Sequence, residues 1–131
     1  MERRLPCTGK HPMRFVILYH ETPSGYERSS HWDLMWECEP GGELVTFAIF
    51  TEPAVGVAAV AEALPFHRRK YLTYEGEISG QRGRVSRFDE GQVEVVAEST
   101  RLIELELAGN RLNCDVELRK DNESWTVRFV K

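Results

Sequence analysis

Hydrophobic and polar residues alternate strictly in three successive segments near the end of this 131-residue chain. The segments are residues 101–107, 112–119 and 125–129, and Gly109-Asn110 and Asp121-Asn122 separate them. A period of two residues is typical of strands that bury one face, and the short breaks consist of turn-forming residues. The pattern therefore predicts three consecutive antiparallel strands.

Short strands are also predicted over most of the remaining chain. β-Branched and aromatic residues favour strands at 14–20, 31–37, 44–50, 71–78, 83–88 and 93–97, with Asp89-Glu90-Gly91 as a hairpin turn. The alanine-rich residues 54–64 predict a short helix, with a barrel strand as the alternative. Together these elements predict a mainly all-β fold, a small antiparallel β-barrel of about seven or eight strands with one short helix. We expect residues 1–12 to be a flexible N-terminal arm and residues 13–131 a single barrel domain.

The segment HWDLMWE (31–37) carries the candidate chemistry. Because side chains of a strand change face at every residue, Trp32, Leu34 and Trp36 share one face and belong against a core. His31 and Asp33 then share the opposite face, roughly 7 Å apart along the strand. An imidazole and a carboxylate at this spacing can bind one cation, and His20 and His67 are candidates for a third ligand.

The composition is that of an ordinary globular protein, with 41% hydrophobic and 29% charged residues. No apolar run approaches the ~20 residues of a membrane helix, and the first twelve residues lack the hydrophobic stretch of a secretory signal. Cys7, Cys38 and Cys114 are widely spaced, which predicts free thiols. We therefore expect a cytoplasmic protein without a membrane partner, and a monomer.

Charge is spread unevenly along the chain. The net charge of −4 argues against a broad nucleic-acid surface, yet residues 67–88 contain six Arg or Lys residues against two Glu residues. A local basic patch suits a phosphate-bearing ligand that is contacted at a few positions. The alternative is a solvated loop with ordinary arginines.

Four motifs resemble, in order, the 3′-phosphoesterase domain found in bacterial DNA ligase D and its stand-alone relatives. They are FVILYHE, HWDLMWE, HRRKYLTYEGEI and the following RFDEG, and they span roughly residues 14–91. The resemblance implies a β-barrel around a Mn²⁺-type site, with Zn²⁺ as the other candidate ion. It also implies an enzyme that trims 3′-terminal phosphates or ribonucleotides from DNA or DNA/RNA ends, with a DNA-repair ligase or end-joining protein as a partner.

The resemblance also implies roles for individual residues. His20, His31 and Asp33 fall on the family's metal-ligand positions, and His67 and Tyr71 fall on positions that contact the reacting phosphate. The chemistry of the residues agrees with these positions. The ion would neutralise a phosphate oxygen and present a water, His67 would protonate a leaving group or hold an oxygen, and Tyr71 would donate a hydrogen bond to the phosphate. Arginines nearby can clamp the phosphate, and the candidates are Arg69, Arg82 and Arg84.

Two departures from the family keep other functions open. Met35 stands where the family has an arginine, and the loop between His20 and His31 is five residues longer than is usual there. A non-catalytic barrel that binds phosphate or nucleic-acid ends is therefore the alternative. A third hypothesis is a non-haem iron oxygenase, because such enzymes also use two histidines and one carboxylate.

Overall fold

The computed structural model describes residues 13–39 and 41–131, so the predicted N-terminal arm lies outside the described residues. These residues form nine strands and one short 3-10 helix, Arg69–Leu72. The strands are β1 (Met13–Glu21), β2 (His31–Glu37), β3 (Leu44–Ile49), β4 (Ala58–His67), β5 (Gly76–Glu77), β6 (Arg84–Glu98), β7 (Leu102–Gly109), β8 (Asn113–Asp121) and β9 (Ser124–Val130).

Eight of these strands close into an antiparallel barrel. Their order around the barrel is β1-β2-β3-β4-β9-β8-β7-β6, and β6 pairs with β1 to complete the ring. The remaining strand, β5, has two residues and lies outside the ring; among the described residues it pairs with β6 alone. Closure leaves no long unpaired edge among the barrel strands. The predicted antiparallel β-barrel is confirmed.

The barrel interior is filled by one hydrophobic core, to which all eight barrel strands contribute. Leu34 and Trp36 of β2 are completely buried in it, and Trp32 packs against it from the end of the strand. The ring of Trp36 stacks on that of Phe47, and Trp125 meets Phe47 edge-on. The predicted tryptophan face of HWDLMWE is therefore the face that points into the barrel.

The helix predicted for residues 54–64 is wrong, and the alternative of a barrel strand is confirmed for residues 58–64, which belong to β4. Ala59 and Ala61 are buried in the barrel core, whereas their neighbours Ala58 and Val60 are exposed. Small side chains fit here because the large rings of the core already occupy the interior. The small size of alanine, which suits the limited space inside the barrel, decides the structure here. Its high helix propensity therefore predicted the wrong element.

The predicted hairpin turn at Asp89-Glu90-Gly91 is also wrong. These three residues lie within β6, which is a single strand of fifteen residues. Gly91 lies opposite Gly109 of β7, and a Cβ atom at Gly91 would collide with the carbonyl oxygen of Ala108. The glycine therefore permits close contact between two strands.

The strand predicted for residues 71–78 is replaced by the 3-10 helix and the short strand β5. Tyr71 and Leu72 are neighbours in sequence and both are buried. A strand would place them on opposite faces, whereas the helical turn buries both against β1.

Asp89 stabilises a different turn from the one predicted. Its Oδ1 atom accepts hydrogen bonds from the backbone N–H groups of Glu90, Asn110 and Arg111, at 2.8, 2.8 and 3.0 Å. Its Oδ2 atom accepts one from the N–H of Leu112, at 2.9 Å. The buried carboxylate thus joins β6 to the turn between β7 and β8.

The prediction of free thiols is wrong for Cys38, which is disulfide-bonded. Cys114 is free and buried, and burial raises the pKa of its thiol.

In the described part of the chain, no helix is long and apolar enough to cross a membrane. The cytoplasmic location stays a prediction.

Replacing Asp89 by Asn should lower the free energy of unfolding by roughly 1.5–3 kcal/mol, the usual contribution of hydrogen bonds to a charged group. The amide NH₂ would face a backbone N–H and leave it unpaired. Urea denaturation measures the difference. Asp121→Asn, at an exposed position, is the matched control and should change stability by less than about 0.5 kcal/mol. Equal denaturation midpoints for the two variants would contradict the role of Asp89.

Candidate metal centre

The pairing of β1 with β2 brings three candidate ligands together. His20 lies directly opposite His31, and Leu18 lies opposite Asp33. Strand alternation places His20, His31 and Asp33 on the outer face of the barrel, away from the core. One ligand atom from each residue lies within 4.8 Å of the others. The predicted convergence of His20, His31 and Asp33 is present, and the three form a triad that can hold a metal ion.

The outer face that carries the triad is buried by a second group of side chains, here called the outer cluster. The outer cluster consists of Val16, Leu18, Met35, Leu44, Tyr71, Leu72 and Val85. Tyr71 and Leu72 come from the 3-10 helix that follows β4 and covers β1, and Val85 belongs to β6, which pairs with β1. As a result, His31 is only 1% exposed, Asp33 3% and His20 9%. The triad lies in the wall of a cavity of about 310 Å³.

Both histidines are oriented by main-chain carbonyl groups. The Nε2 atom of His20 lies 2.7 Å from the carbonyl oxygen of Arg82, and the Nδ1 atom of His31 lies 2.8 Å from that of Ser29. A carbonyl oxygen only accepts hydrogen bonds, so these ring nitrogens are the donors. Each neutral ring then keeps a lone pair on its other nitrogen. Metal-binding histidines are typically held by such a hydrogen bond to a carbonyl or carboxylate.

The two remaining ring nitrogens face the carboxylate of Asp33. His31 Nε2 lies 3.1 Å from Asp33 Oδ1, and His20 Nδ1 lies 3.6 Å from Asp33 Oδ2. Burial alone would raise the pKa of Asp33, but a proton shared with His20 and His31 holds it below its usual value. Burial would likewise lower the pKa of His31, yet Asp33 raises it above its usual value. The site thus favours positive charge beside the carboxylate. When no proton is there, the carboxylate and two ring lone pairs face the point that a cation can occupy instead.

A buried oxygen without a hydrogen bond tests whether a metal fits. Asp33 Oδ1 is buried and has no hydrogen-bond partner among the described residues. A buried carboxylate oxygen without a partner is unfavourable, and a bound cation would satisfy it. Two imidazole nitrogens and one carboxylate oxygen suit a divalent first-row ion and leave coordination positions for water or substrate. The donor set fits a metal ion.

His67 and Tyr71 line the same cavity as the triad. His67 ends β4, and its Nδ1 atom donates to the carbonyl oxygen of Pro65 at 2.9 Å, which leaves Nε2 available. Tyr71 belongs to the 3-10 helix and is 9% exposed. The two rings meet edge-on, with centroids 5.8 Å apart. The structure thus places His67 and Tyr71, the two residues predicted for catalysis, in the cavity that the triad lines.

The three arginines predicted to bind phosphate are placed differently from one another. Arg82 lines the cavity, but its Nε atom donates to the carbonyl oxygen of Ser79. Arg69 forms an ion pair with the buried Glu37 and does not line the cavity. Arg84 lines a separate groove. Of the three, only Arg82 is beside the triad.

Sequence reasoning missed several residues of the cavity wall, among them Tyr26, Arg28, Phe66 and Arg68. Tyr26 and Arg28 belong to the long loop between β1 and β2, which has no periodic pattern that would show where its side chains point. Arg68 is next to His67 in sequence, and this adjacency was the one available signal. Arg28 donates to both carboxylate oxygens of Glu62, at 2.9 and 2.8 Å. This pairing raises the pKa of Arg28 and lowers that of Glu62, so both stay charged.

Comparison with known proteins adds no family. No family model matches the sequence, and a search of curated proteins finds no match either. What the fold and the site define is a class, an eight-stranded antiparallel barrel with a buried His–His–Asp centre on its outer face. The resemblance to the ligase D 3′-phosphoesterase domain stays a prediction.

Gly83 should be required for metal binding because of its place beside Arg82. Its φ angle is +98°, and a Cβ atom there would collide with the carbonyl oxygen of Glu21. Gly83→Ala should therefore push the Arg82 carbonyl away from His20 and weaken binding of Zn²⁺ or Mn²⁺ by roughly 10- to 100-fold. Isothermal titration calorimetry measures the affinity.

Gly80→Ala is the matched control for Gly83→Ala. Gly80 also has a positive φ angle, +79°, but the nearest atom to its added Cβ is 3.6 Å away in a side chain. The control carries a similar backbone strain without the collision, so it should keep the metal affinity. Equal losses in both variants would show that strain in the turn, and not the position of the Arg82 carbonyl, controls binding.

Proposed function

We propose that the protein is a Mn²⁺-dependent phosphoesterase that removes 3′-terminal phosphates or ribonucleotides from DNA ends. The observation that carries the proposal is the buried Asp33 carboxylate, which has one unpaired oxygen and faces a ring nitrogen of His20 on one oxygen and of His31 on the other. It shares one cavity with His67, Tyr71 and Arg68. A cation-binding centre beside a potential proton donor, a hydroxyl and a guanidinium suits a phosphate ester better than an uncharged substrate.

The triad would hold the ion, and the cavity wall would hold the phosphate. A bound ion neutralises a phosphate oxygen and lowers the pKa of a bound water. His20, His31 and Asp33 would fix its position, because two of the three side chains are themselves anchored to the main chain. Tyr71 would donate its O–H to a non-bridging phosphate oxygen. The edge-on contact with His67 would keep this hydroxyl beside the imidazole.

His67 would supply the proton that the leaving group needs. Its Nδ1 donates to Pro65, so only Nε2 can reach the substrate. Water attacks the phosphorus atom, the bond between phosphorus and O3′ breaks, and Nε2 of protonated His67 gives its proton to O3′. The products of removing a terminal phosphate are inorganic phosphate and a 3′-hydroxyl end. The proton lost by the attacking water returns to solvent or to His67.

Positive charge for the phosphate would come from Arg68. Met35 lines the cavity at 1% exposure, so the strand position that holds an arginine in the resembling family is here an apolar wall. Arg28 also lines the cavity, but Glu27 and Glu62 already bind its guanidinium. Arg68 is exposed and has no ion pair within residues 13–39 and 41–131.

The prediction of a DNA-repair ligase or end-joining protein as a partner rests on the family resemblance alone.

A 3′-phosphorylated DNA primer tests the proposed activity directly. With Mn²⁺ the wild-type protein should release inorganic phosphate, and His31→Ala and Asp33→Asn should each reduce the rate at least about 100-fold, because a ligand of the ion is lost. Asp121→Asn repeats the chemical change of Asp33→Asn at an exposed site and should keep the activity. Absence of product with the wild-type protein rejects the enzymatic proposal.

The second candidate function is a non-catalytic barrel that binds phosphate or nucleic-acid ends, and Met35 is the observation that favours it. This function predicts binding of 3′-phosphorylated ends without turnover, with an affinity that falls as salt rises. Binding measured beside the phosphate-release assay separates the two functions.

Arg68→Ala should lower kcat/KM on the 3′-phosphorylated primer about 10- to 100-fold, because one charge-assisted contact to the phosphate is removed. Metal affinity should not change, since Arg68 contacts none of the three ligands. Arg101→Ala, which removes an exposed arginine outside the cavity wall, is the control. Equal kcat/KM values for Arg68→Ala and the wild type would exclude Arg68 as the phosphate clamp.

A further inference from the structure

The loop between β1 and β2, residues 22–30, is tied at its base and across to β4. The Thr22 N–H donates to the Ser30 hydroxyl at 3.0 Å, and the Thr22 hydroxyl donates to the Arg28 carbonyl at 2.9 Å. The Arg28 guanidinium then binds both carboxylate oxygens of Glu62 on β4. These contacts hold the loop as one fixed wall of the cavity. The side chains that it presents are therefore pre-positioned.

Tyr26 is the aromatic side chain that this loop presents to the cavity. Its ring centroid lies 6.2 Å from that of His20, so the ring stands beside the metal centre. The residue is half-buried and belongs to neither the barrel core nor the outer cluster. Packing in these two clusters therefore does not account for its placement. Because Tyr26 lines the cavity, a ligand there would contact its side chain.

Phe66 adds another exposed aromatic ring to the same cavity wall. It belongs to β4, directly before His67, and 37% of its surface is exposed. The cavity of about 310 Å³ thus combines a cation-binding centre with the rings of Tyr26 and Phe66, in addition to that of Tyr71. Nucleobases stack on aromatic side chains largely irrespective of sequence. A cavity that offers a cation to a phosphate and aromatic rings to a flat base suits a nucleoside 3′-phosphate.

Extending the proposed function, on which this inference rests, we propose that Tyr26 and Phe66 bind the base of the terminal nucleotide. Because the triad is no more than 9% exposed, the phosphate has to enter the cavity to reach it. A base that follows its phosphate into the cavity is separated from its complementary strand. The substrate is thus an unpaired 3′-terminal nucleotide, such as that of an overhang or a frayed end. Unpairing is easiest at such positions.

Two short probes test the base contact without turnover. Both are single-stranded trinucleotide analogues that end in a 3′-phosphonate, which cannot be hydrolysed, and one of them lacks the terminal base. In the presence of Mn²⁺, calorimetry should show that the wild-type protein binds the probe with the base at least 5-fold more tightly. Tyr26→Ala should abolish this preference and Phe66→Ala should reduce it. Tyr26→Phe keeps the ring and should retain the preference.

Several results would overturn the inference. They are equal affinities of the wild-type protein for the two probes, no binding of either probe, or an unchanged preference in Tyr26→Ala. A Tyr26→Ala protein that also loses Mn²⁺ affinity would assign Tyr26 to the support of His20 instead of the base. In the expected result, Mn²⁺ affinity is unchanged.

A comparison of DNA ends tests whether the terminal nucleotide must be unpaired. The wild-type protein should bind a duplex with a 3′-phosphonate on a three-nucleotide overhang at least 10-fold more tightly than a blunt duplex with the same terminus. Equal binding would overturn this part of the inference. All of these readouts are binding constants, so a failed phosphate-release assay rejects the proposed phosphoesterase activity and leaves the base contact to be decided separately.

Discussion

Two hydrogen bonds to main-chain carbonyl groups determine what the site can do. His20 donates to Arg82 and His31 donates to Ser29, so the ring nitrogens that carry lone pairs are the ones turned to Asp33. A proton or a cation between these groups removes the repulsion among them. The site therefore depends on segments far apart in sequence, since the loop before β2 orients one imidazole and the turn before β6 orients the other.

The closed barrel explains why the site lies on the outer face. In a barrel of eight strands the interior is filled by side chains, and here that interior is the hydrophobic core. A cavity can form only where another segment covers the outside of the sheet. The chain between β4 and β6 does this over β1 and β2, and Tyr71 and Leu72 pack it against Val16, Leu18 and Met35 of these strands. The same cover lowers solvent access to the triad and strengthens electrostatic interactions within it.

The fold could be predicted from sequence wherever a strand has one buried face. Strict alternation identified β2 and the last three strands, because each side chain of these strands has a clear polar or apolar role. The predicted secondary structure was wrong where a small residue is required by the packing of residues that are distant in sequence. Ala59 and Ala61 fit beside large rings inside the barrel, and Gly91 permits contact with β7. Local propensity contains no information about such neighbours.

For the site, the sequence by itself determined that His31 and Asp33 share a face, because strand parity is a local property of the backbone. It also indicated His20, at the end of the preceding strand. Only the tertiary structure decided which arginine and aromatic side chains surround the triad of His20, His31 and Asp33. Tyr26 and Arg28 enter the cavity because a loop folds back and is clamped to Glu62. Arg84, although close in sequence to Arg82, points into another groove. Loop and turn conformations depend on long-range contacts, and these are not encoded in any short pattern.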